Sequence, residues 1–334
     1  MNNMENDIIK RFRKITASAN SEVVNVIDID GLPHKLGLSA KGYPMFFVVT
    51  SENQFPAHNI EREFLSVQFD LPCTIVLENQ DKKDNKFTII TLKNENNDLQ
   101  NSFIEIFILM LHKLAPDTTK RNLSIELENL ITIFSALSLP PKKKVQGLWA
   151  ELLVIEQSSN PELILSFWHT EPNSKYDFSN GRDKIEVKST SSEERLHRFS
   201  LDQLNPSANS KLLVASTIVR ECAQSETGLS VFDLYNRIIE RVSDNEMRLH
   251  CYTIIAETLG DSLTKAKKVF FDHVEASDSL DFFNSSSVPK IDKSTIPENV
   301  TDVKFMSNIT HVTPVSREND SELIDSSDLF NSVL

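Results

Sequence analysis

The sequence predicts an α/β (α+β) chain that opens with a small β-rich region. Three observations predict it. Residues 22–92 break into short β-branched or aromatic runs separated by Gly, Pro, Asn and Asp. Helical periodicity takes over at 101–114, 122–137 and 144–157. The stretch KYDFSNGRDKIEVKST at 175–190 then reads as a β-hairpin, followed by a continuous apolar run at 211–220 that reads as a buried strand. Pro140-Pro141 is the strongest punctuation between these parts. Three segments are therefore expected: 1–139, a β-rich region followed by two helices; 140–275, a mixed α/β core; and 276–334, a C-terminal extension.

Composition bounds the function. The 334 residues are 40% apolar and 25% charged, which is ordinary globular usage. A net charge of −13 argues against a protein that coats DNA without regard to sequence. It leaves room for an enzyme with a local basic rim. Cys73, Cys222 and Cys251 are far apart without CxxC spacing, a reduced, cytosolic pattern that argues against zinc. The N-terminus lacks the apolar stretch of a signal peptide. The most apolar run, 103–111, contains Glu105 and is too short to span a bilayer. A soluble, cytoplasmic protein without a membrane role is expected.

Residues 6–17 read as a short amphipathic helix. Strands are expected at 23–29, 44–50, 64–69, 74–78 and 86–92. No catalytic cluster stands out there, and His34 and His58 read as loop histidines. Lys142, Lys143 and Lys144 read as a solvated basic loop, with a phosphate contact as the alternative. The helix at 144–157 buries Val145, Leu148, Trp149, Leu152 and Ile155, with Glu151 at the border of that stripe. Glu156 is its rival for an inward acid. Residues 163–169 read as a strand or short helix, with Trp168 as packing and His169 as structural. Ser200 with Gln203 three residues on is a capping-box pattern opening a helix. A helix at 229–242 and a last strand within 303–315 follow, and the tail from Ser316 reads as loosely held.

The hairpin carries the chemistry. Asn180-Gly181 suits a type I′ turn, since both residues tolerate positive φ. That register pairs Asp177 with Lys184 and sets Asp177 diagonal to Glu186, on one face with Lys188. Ile185 and Val187 take the other face. Two carboxylates suit a hard cation such as Mg²⁺, and an ammonium beside them can offset charge on a phosphate. An acid-x-Lys triplet on a strand is more often a solvated face. The partner-strand Asp, the turn and the apolar alternation favour a site.

Glu151 on a helix, Asp177 on a first strand, Glu186-x-Lys188 on a second and Gln203 at the next helix resemble the PD-(D/E)XK nuclease core. GLWAEL at 147–152, Trp168, Asp177-Phe178, IEVKST at 185–190 and HRFSLDQL at 197–204 look more closely like the bacterial PD-(D/E)XK motif proteins of antiphage defence islands. The resemblance implies a restriction-endonuclease-like core with a mixed central sheet at 140–275 and Mg²⁺-dependent (or Mn²⁺-dependent) DNA cleavage. It also implies protein partners from the same defence operon. By it, Asp177, Glu186 and the Val187 carbonyl are metal ligands, Lys188 is the catalytic lysine and Glu151 the helix acid. Gln203, Arg182, Ser189 and Arg198 become nucleic-acid contacts or supports. Tyr176 stands where the eponymous proline would. A non-cleaving nuclease-fold subunit that binds DNA or a defence partner is one alternative; a nuclease of RNA or single strands is another.

Overall fold

The computed structural model describes residues 2–18, 23–51, 57–137, 139–168, 174–207 and 209–334. The chain forms two compact units, one of residues 1–138 with Arg248–Tyr252, the other of residues 139–247 with 253–334.

The first unit opens with helix α1 (Asn2–Phe12) and continues with β1 (Val23–Asp28), β2 (Lys35–Leu38), β3 (Pro44–Val48), β4 (Ile60–Glu61), β5 (Leu65–Val76) and β6 (Lys82–Leu92). The sheet order is β1-β2-β3-β6-β5-β4. The first strand pairs with β2 through Val26–Asp28 and with β5 through residues 23–25, so the sheet closes on itself. Closure leaves few unpaired edges for other chains to join. Val26, Phe47, Ile75, Phe87 and Ile89 form one of its cores. Helices α2 (Asn97–Lys113) and α3 (Lys120–Ala136) follow. Phe46 stacks on Phe107 at 4.1 Å, and Phe103 meets Phe134 edge-on at 5.3 Å.

This unit departs from the sequence reading in three places. The expected strands at 64–69 and 74–78 are one strand, β5, whose register shifts between Gln68 and Leu71 around Asp70, at φ +54°. Strand β2 was unexpected because KLGL carries a glycine. A Cβ on Gly37 would lie 2.9 Å from the Phe47 ring, so this glycine marks a close approach within the sheet. His34 lies outside the strands but is fully buried, its Nδ1 accepting the Val49 N–H. Burial pulls its pKa down to about 4. His58 is exposed.

The second unit contains α4 (Val145–Gln157), α5 (Pro161–Phe167), β7 (Phe178–Asn180), β8 (Asp183–Thr190), β9 (Leu196–Ser200), α6 (Leu201–Leu204) and β10 (Lys211–Ile218). Then come β11 (Glu221–Cys222), β12 (Gly228–Leu229), α7 (Val231–Glu240), α8 (Asn245–Leu259, of which residues 248–252 count with the first unit), α9 (Leu263–Ala266), β13 (Phe270–Asp272), α10 (His273–Asp278), β14 (Asp281–Asn284), β15 (Lys304–Asn308), α11 (Arg317–Asp325) and α12 (Asp328–Val333). Its four-stranded sheet runs β14-β10-β8-β7. Strands β8 and β10 are parallel, while both outer pairings are antiparallel, so the sheet is mixed. Because β14 is an edge strand of this sheet, the stretch from 276 supplies part of the core rather than an appendage.

The sheet separates two environments. Leu212 and Val214 pair with Lys184 and Glu186 and pack in a cluster with Tyr176, Phe199, Leu204 and Phe283. On the other face Phe178 pairs with Ile185, and Trp168 stacks on Phe178 at 6.4 Å. Helix α4 packs against β8 and α7, and every residue from Leu148 to Ile155 is buried. A helix apolar all round belongs inside a core.

Two expectations are refined in this unit, one strand is new and one expectation fails. The segment 163–169 contains helix α5, with Asn160 as its N-cap, and His169 lies outside the described residues. Strand β9 was unexpected; it pairs with β15 in a separate two-stranded sheet. The helix after Ser200 is a single turn, although its capping box forms in full. The tail from 316 is helical and anchored, with Ile324, Leu329 and Phe330 fully buried. Its short apolar patches were too brief for a periodicity to show.

If α12 closes the core, Phe330→Ala should destabilise the second unit by about 3–5 kcal/mol. Urea unfolding of the full chain, followed by a probe in that unit, checks it. A change within about 0.5 kcal/mol is what a surface tail would give.

Candidate active site

The hairpin turns one residue later than its sequence suggests. Asn180 pairs with Asp183, so Gly181 and Arg182 are the two loop residues. Gly181 has φ +54° and Arg182 does not have positive φ, the signature of a type II′ rather than a type I′ turn. Extending this register places Asp177 directly opposite Glu186 instead of diagonal to it. The shift changes the summed register by two, so the two carboxylates still share a face.

Strand β7 begins only at Phe178, so β8 runs beyond it with an open edge from Glu186 onward. The Val187 N–H on that edge donates to Asp177 Oδ2 at 2.8 Å. In an extended strand the N–H and C=O of one residue point the same way, so the Val187 carbonyl faces the same edge. Glu186, 4% exposed, lies on the Phe199 face. Lys188 Nζ donates to Glu186 Oε1 at 2.7 Å and sits 5.1 Å from the Phe199 ring centroid. Gln203 Nε2 donates to the same Oε1 at 2.6 Å while its own Oε1 accepts the Ser200 N–H. Gln203 therefore caps α6 and holds Glu186 at once.

Glu151 reaches the edge from the other face. Its Oε2 accepts the Trp168 indole N–H at 2.9 Å and its Oε1 accepts Lys143 Nζ at 2.6 Å. Lys143 Nζ also donates to Asp177 Oδ1 at 2.7 Å, so one ammonium bridges the two acids. Glu156 points elsewhere, to His273 and Arg237.

These acids are unlike surface carboxylates. Burial, then the charge of Asp177, pushes Glu151 upward, against the pull of Lys143. The same two causes push Glu186 up to about 7, with Lys188 opposing. Burial disfavours the Lys143 charge, but Glu151 and Asp177 outweigh it and hold its pKa above the usual lysine value. Behind Lys188, His197 Nε2 lies 2.8 Å from Ser216 Oγ, which also accepts from Arg195. Burial and the neighbouring Lys188 and Arg195 charges bring His197 down to about 4, so it is neutral at physiological pH.

The structure gathers Asp177, Glu186, Lys188, Glu151, Val187 and Gln203 around the β8 edge. It does not gather the other three expected residues. Arg182 is exposed at the turn. Ser189 alternates onto the face opposite Lys188. Arg198 is exposed on β9, on the side away from Phe199, because successive side chains of a strand point to opposite faces.

Two contributors were missed. Trp168 packs as expected but also holds Glu151 through its indole. Lys143 belongs to the site, and a signal for it existed. Three lysines precede α4, which has no acid in its first turn and no side-chain cap. Cations at the positive end of a helix are unfavourable without another use.

Among the described residues no group of three or more His, Cys, Asp and Glu could hold a metal ion. The Lys143 ammonium bridges Glu151 and Asp177, where a third acid would have to join. Mg²⁺ commonly takes only one or two carboxylates and keeps several waters. Asp177 and Glu186 fit that demand in number and in oxygen chemistry.

Fold and site together define a mixed α/β protein whose acids and lysine surround one open strand edge. The chain belongs to the family described as "Putative PD-(D/E)XK family member, (DUF4420)", which matches residues 8–310. No curated protein and no solved structure matches it. Among the described residues no helix is long and apolar enough to cross a membrane.

The raised pKa of Glu186 has a definite sign. A carboxyl that binds its proton more tightly when folded adds stability below the unfolded value near 4.5, and that stability is lost as pH rises through about 7. Glu186→Gln removes the charge but keeps an acceptor for Lys188 and Gln203. In EDTA its melting temperature should exceed that of the wild type above pH 7, and the gap should shrink towards pH 4.5. A gap independent of pH would contradict the assignment.

Proposed function

We propose that the protein is a metal-dependent endonuclease that hydrolyses DNA phosphodiester bonds. The observation that carries this is the meeting of Asp177, bonded to the Val187 N–H, and Glu186, bonded to Lys188, at the open end of β8. Family membership supports a nuclease-like reading. The resemblance of the motifs at 147–152, 185–190 and 197–204 to defence-island proteins supports work in the cytoplasm within a multigene antiphage system, beside partners from the same operon.

Asp177, Glu186 and the Val187 carbonyl would hold Mg²⁺ or Mn²⁺. A divalent ion held there supplies positive charge that acidifies water and offsets charge on the phosphate. Lys188 orients the attacking water and stabilises charge developing on the phosphate oxygens. Phe199 beneath it and Glu186 beside it fix the direction of its ammonium. Gln203 keeps Glu186 from rotating away. Trp168 keeps Glu151 at the edge, where it can steer water or a second cation.

A second reading has its own observation. Lys143 already neutralises Glu151 and Asp177, as it would in a nuclease-fold subunit that binds DNA or a partner without cutting. The fold hosts both uses, so only the site's behaviour decides.

Calorimetric Mg²⁺ and Mn²⁺ titration, paired with single-turnover cleavage of duplex DNA, single-stranded DNA and RNA, separates the readings. Asp177→Ala should weaken metal binding, since it removes one of few hard anionic ligands. Lys188→Ala should still bind metal, since an ammonium is not a ligand, and lose about 10²–10³ in cleavage rate. A wild type that binds no divalent ion favours the non-cleaving subunit.

Lys143→Ala gives an independent check. It deletes a cation that shares Asp177 Oδ1, so divalent-ion affinity should rise. The melting temperature in EDTA should fall, because Glu151 is left buried without its counter-charge. An unchanged metal affinity would show that Lys143 does not compete for the site.

A further inference from the structure

Beside the carboxylates lies a group of lysines that the proposed chemistry does not use. Lys175 Nζ sits 5.1 Å from the Tyr176 ring centroid. The Tyr176 hydroxyl donates to the backbone carbonyls of Asp202 and Gln203, next to the amide that holds Glu186. Lys293 Nζ donates to Asp202 Oδ1 at 3.0 Å, and Lys290 Nζ to the Leu204 carbonyl at 3.2 Å. The charges of Lys293 and Lys184 both act on Lys175. Lys290 also lines a polar cleft shared with Lys211, Asn205 and Asn284.

The segment carrying Lys290 and Lys293 is held in place. Val288 is buried against the cluster of Tyr176, Phe199 and Leu204. Asn205 clamps the backbone from both sides, donating to the Ile291 carbonyl and accepting the Lys293 N–H. The Leu201 N–H donates to the Val303 carbonyl. This segment therefore wraps α6, the helix turn that supplies Gln203 to the site.

Like charges gathered on one face repel. Here they stand in a chain of net charge −13, where Lys175 and Lys293 share Asp202, while Glu186 also acts on Lys175 and Asp292 lies beside Lys290. Such a face becomes favourable when it meets an anion with repeated charges. The contact that these ammonium groups offer is to phosphates.

We propose that Lys175, Lys290 and Lys293 form a phosphate track leading to the β8 edge. The 288–304 segment then belongs to the binding surface for the backbone of a nucleic acid. This rests on the nuclease reading for its substrate class, but it makes a claim about binding that can fail alone.

The test measures binding without cleavage. Fluorescence anisotropy in EDTA follows a short labelled duplex, and separately its single strand, as salt rises from about 50 to 200 mM. Each lost phosphate contact lowers the slope of log affinity against log salt by about 0.9 on duplex and about 0.7 on single strand. Lys175→Ala combined with Lys293→Ala should lower it by about 1.8 or 1.4. Lys290→Glu should weaken binding further, while Lys83→Ala in the first unit should change nothing. Circular dichroism confirms that the variants fold. Wild-type slopes in the double variant, or no binding by the wild type at the lowest salt, overturn the track. If the wild type still cleaves in Mg²⁺ when the track fails, the nuclease reading survives it. A track that behaves as expected on a wild type that cleaves nothing sinks the nuclease reading and leaves the binding surface standing.

Discussion

The second unit depends on how one backbone group is satisfied. Strand β7 stops short, and the Val187 N–H would be left unpaired in a half-buried setting, which proteins almost never tolerate. Asp177 takes that bond through its side chain. In doing so it ends the ladder, anchors the hairpin and commits one oxygen to the protein, leaving the other directed at Lys143. The edge stays open because a carboxylate stands where a further pair of ladder bonds would form. An acid at this position is thus structural and chemical at once.

Around that edge the unit concentrates groups that oppose folding. Glu151 and Glu186 are both almost wholly buried, and the charge of Asp177 adds to the cost of ionising each. What offsets this is a set of single, directed donors: Lys143, the Trp168 indole, Lys188 and Gln203. Buried carboxylates held this way are poised to exchange a proton or a cation, which is common where binding or catalysis occurs. Behind Lys188 the neutral His197 and Ser216 add polarity without adding charge.

The reading from sequence succeeded where a pattern was local and failed where geometry was tertiary. The alternation in IEVK gave the facing of Glu186 and Lys188, since side-chain period is intrinsic to a strand. Glu151 stood out because it lies at the border of the apolar stripe of its helix. The turn was misplaced because Asn180-Gly181 and Gly181-Arg182 both offer a glycine for positive φ, and the pairing of Phe178 with Ile185 chose between them. Lys143 could not be placed at all from spacing, since it precedes its helix and reaches Asp177 across 34 positions. Strand β9 and the anchored tail were hidden for a related reason. Their partners, β15 and the α4–α5 region, are remote in sequence, so neither shows a long enough periodic run.

Helix α12 has a consequence for how the unit comes into being. It packs on α4, α5 and β8, and the carbonyl of Ser332 accepts both the backbone N–H and the hydroxyl of Ser159, 173 residues earlier. The strand of the acids and the helix of Glu151 therefore emerge from the ribosome long before the element that seals them. A nascent chain holding every residue of the site still exposes the apolar surface that Leu329 and Phe330 cover. Contacts of such sequence separation form late and slowly. Assembly of the site is thereby deferred until synthesis of this region is finished, so a chain broken off early carries the reactive groups without the architecture that aligns them.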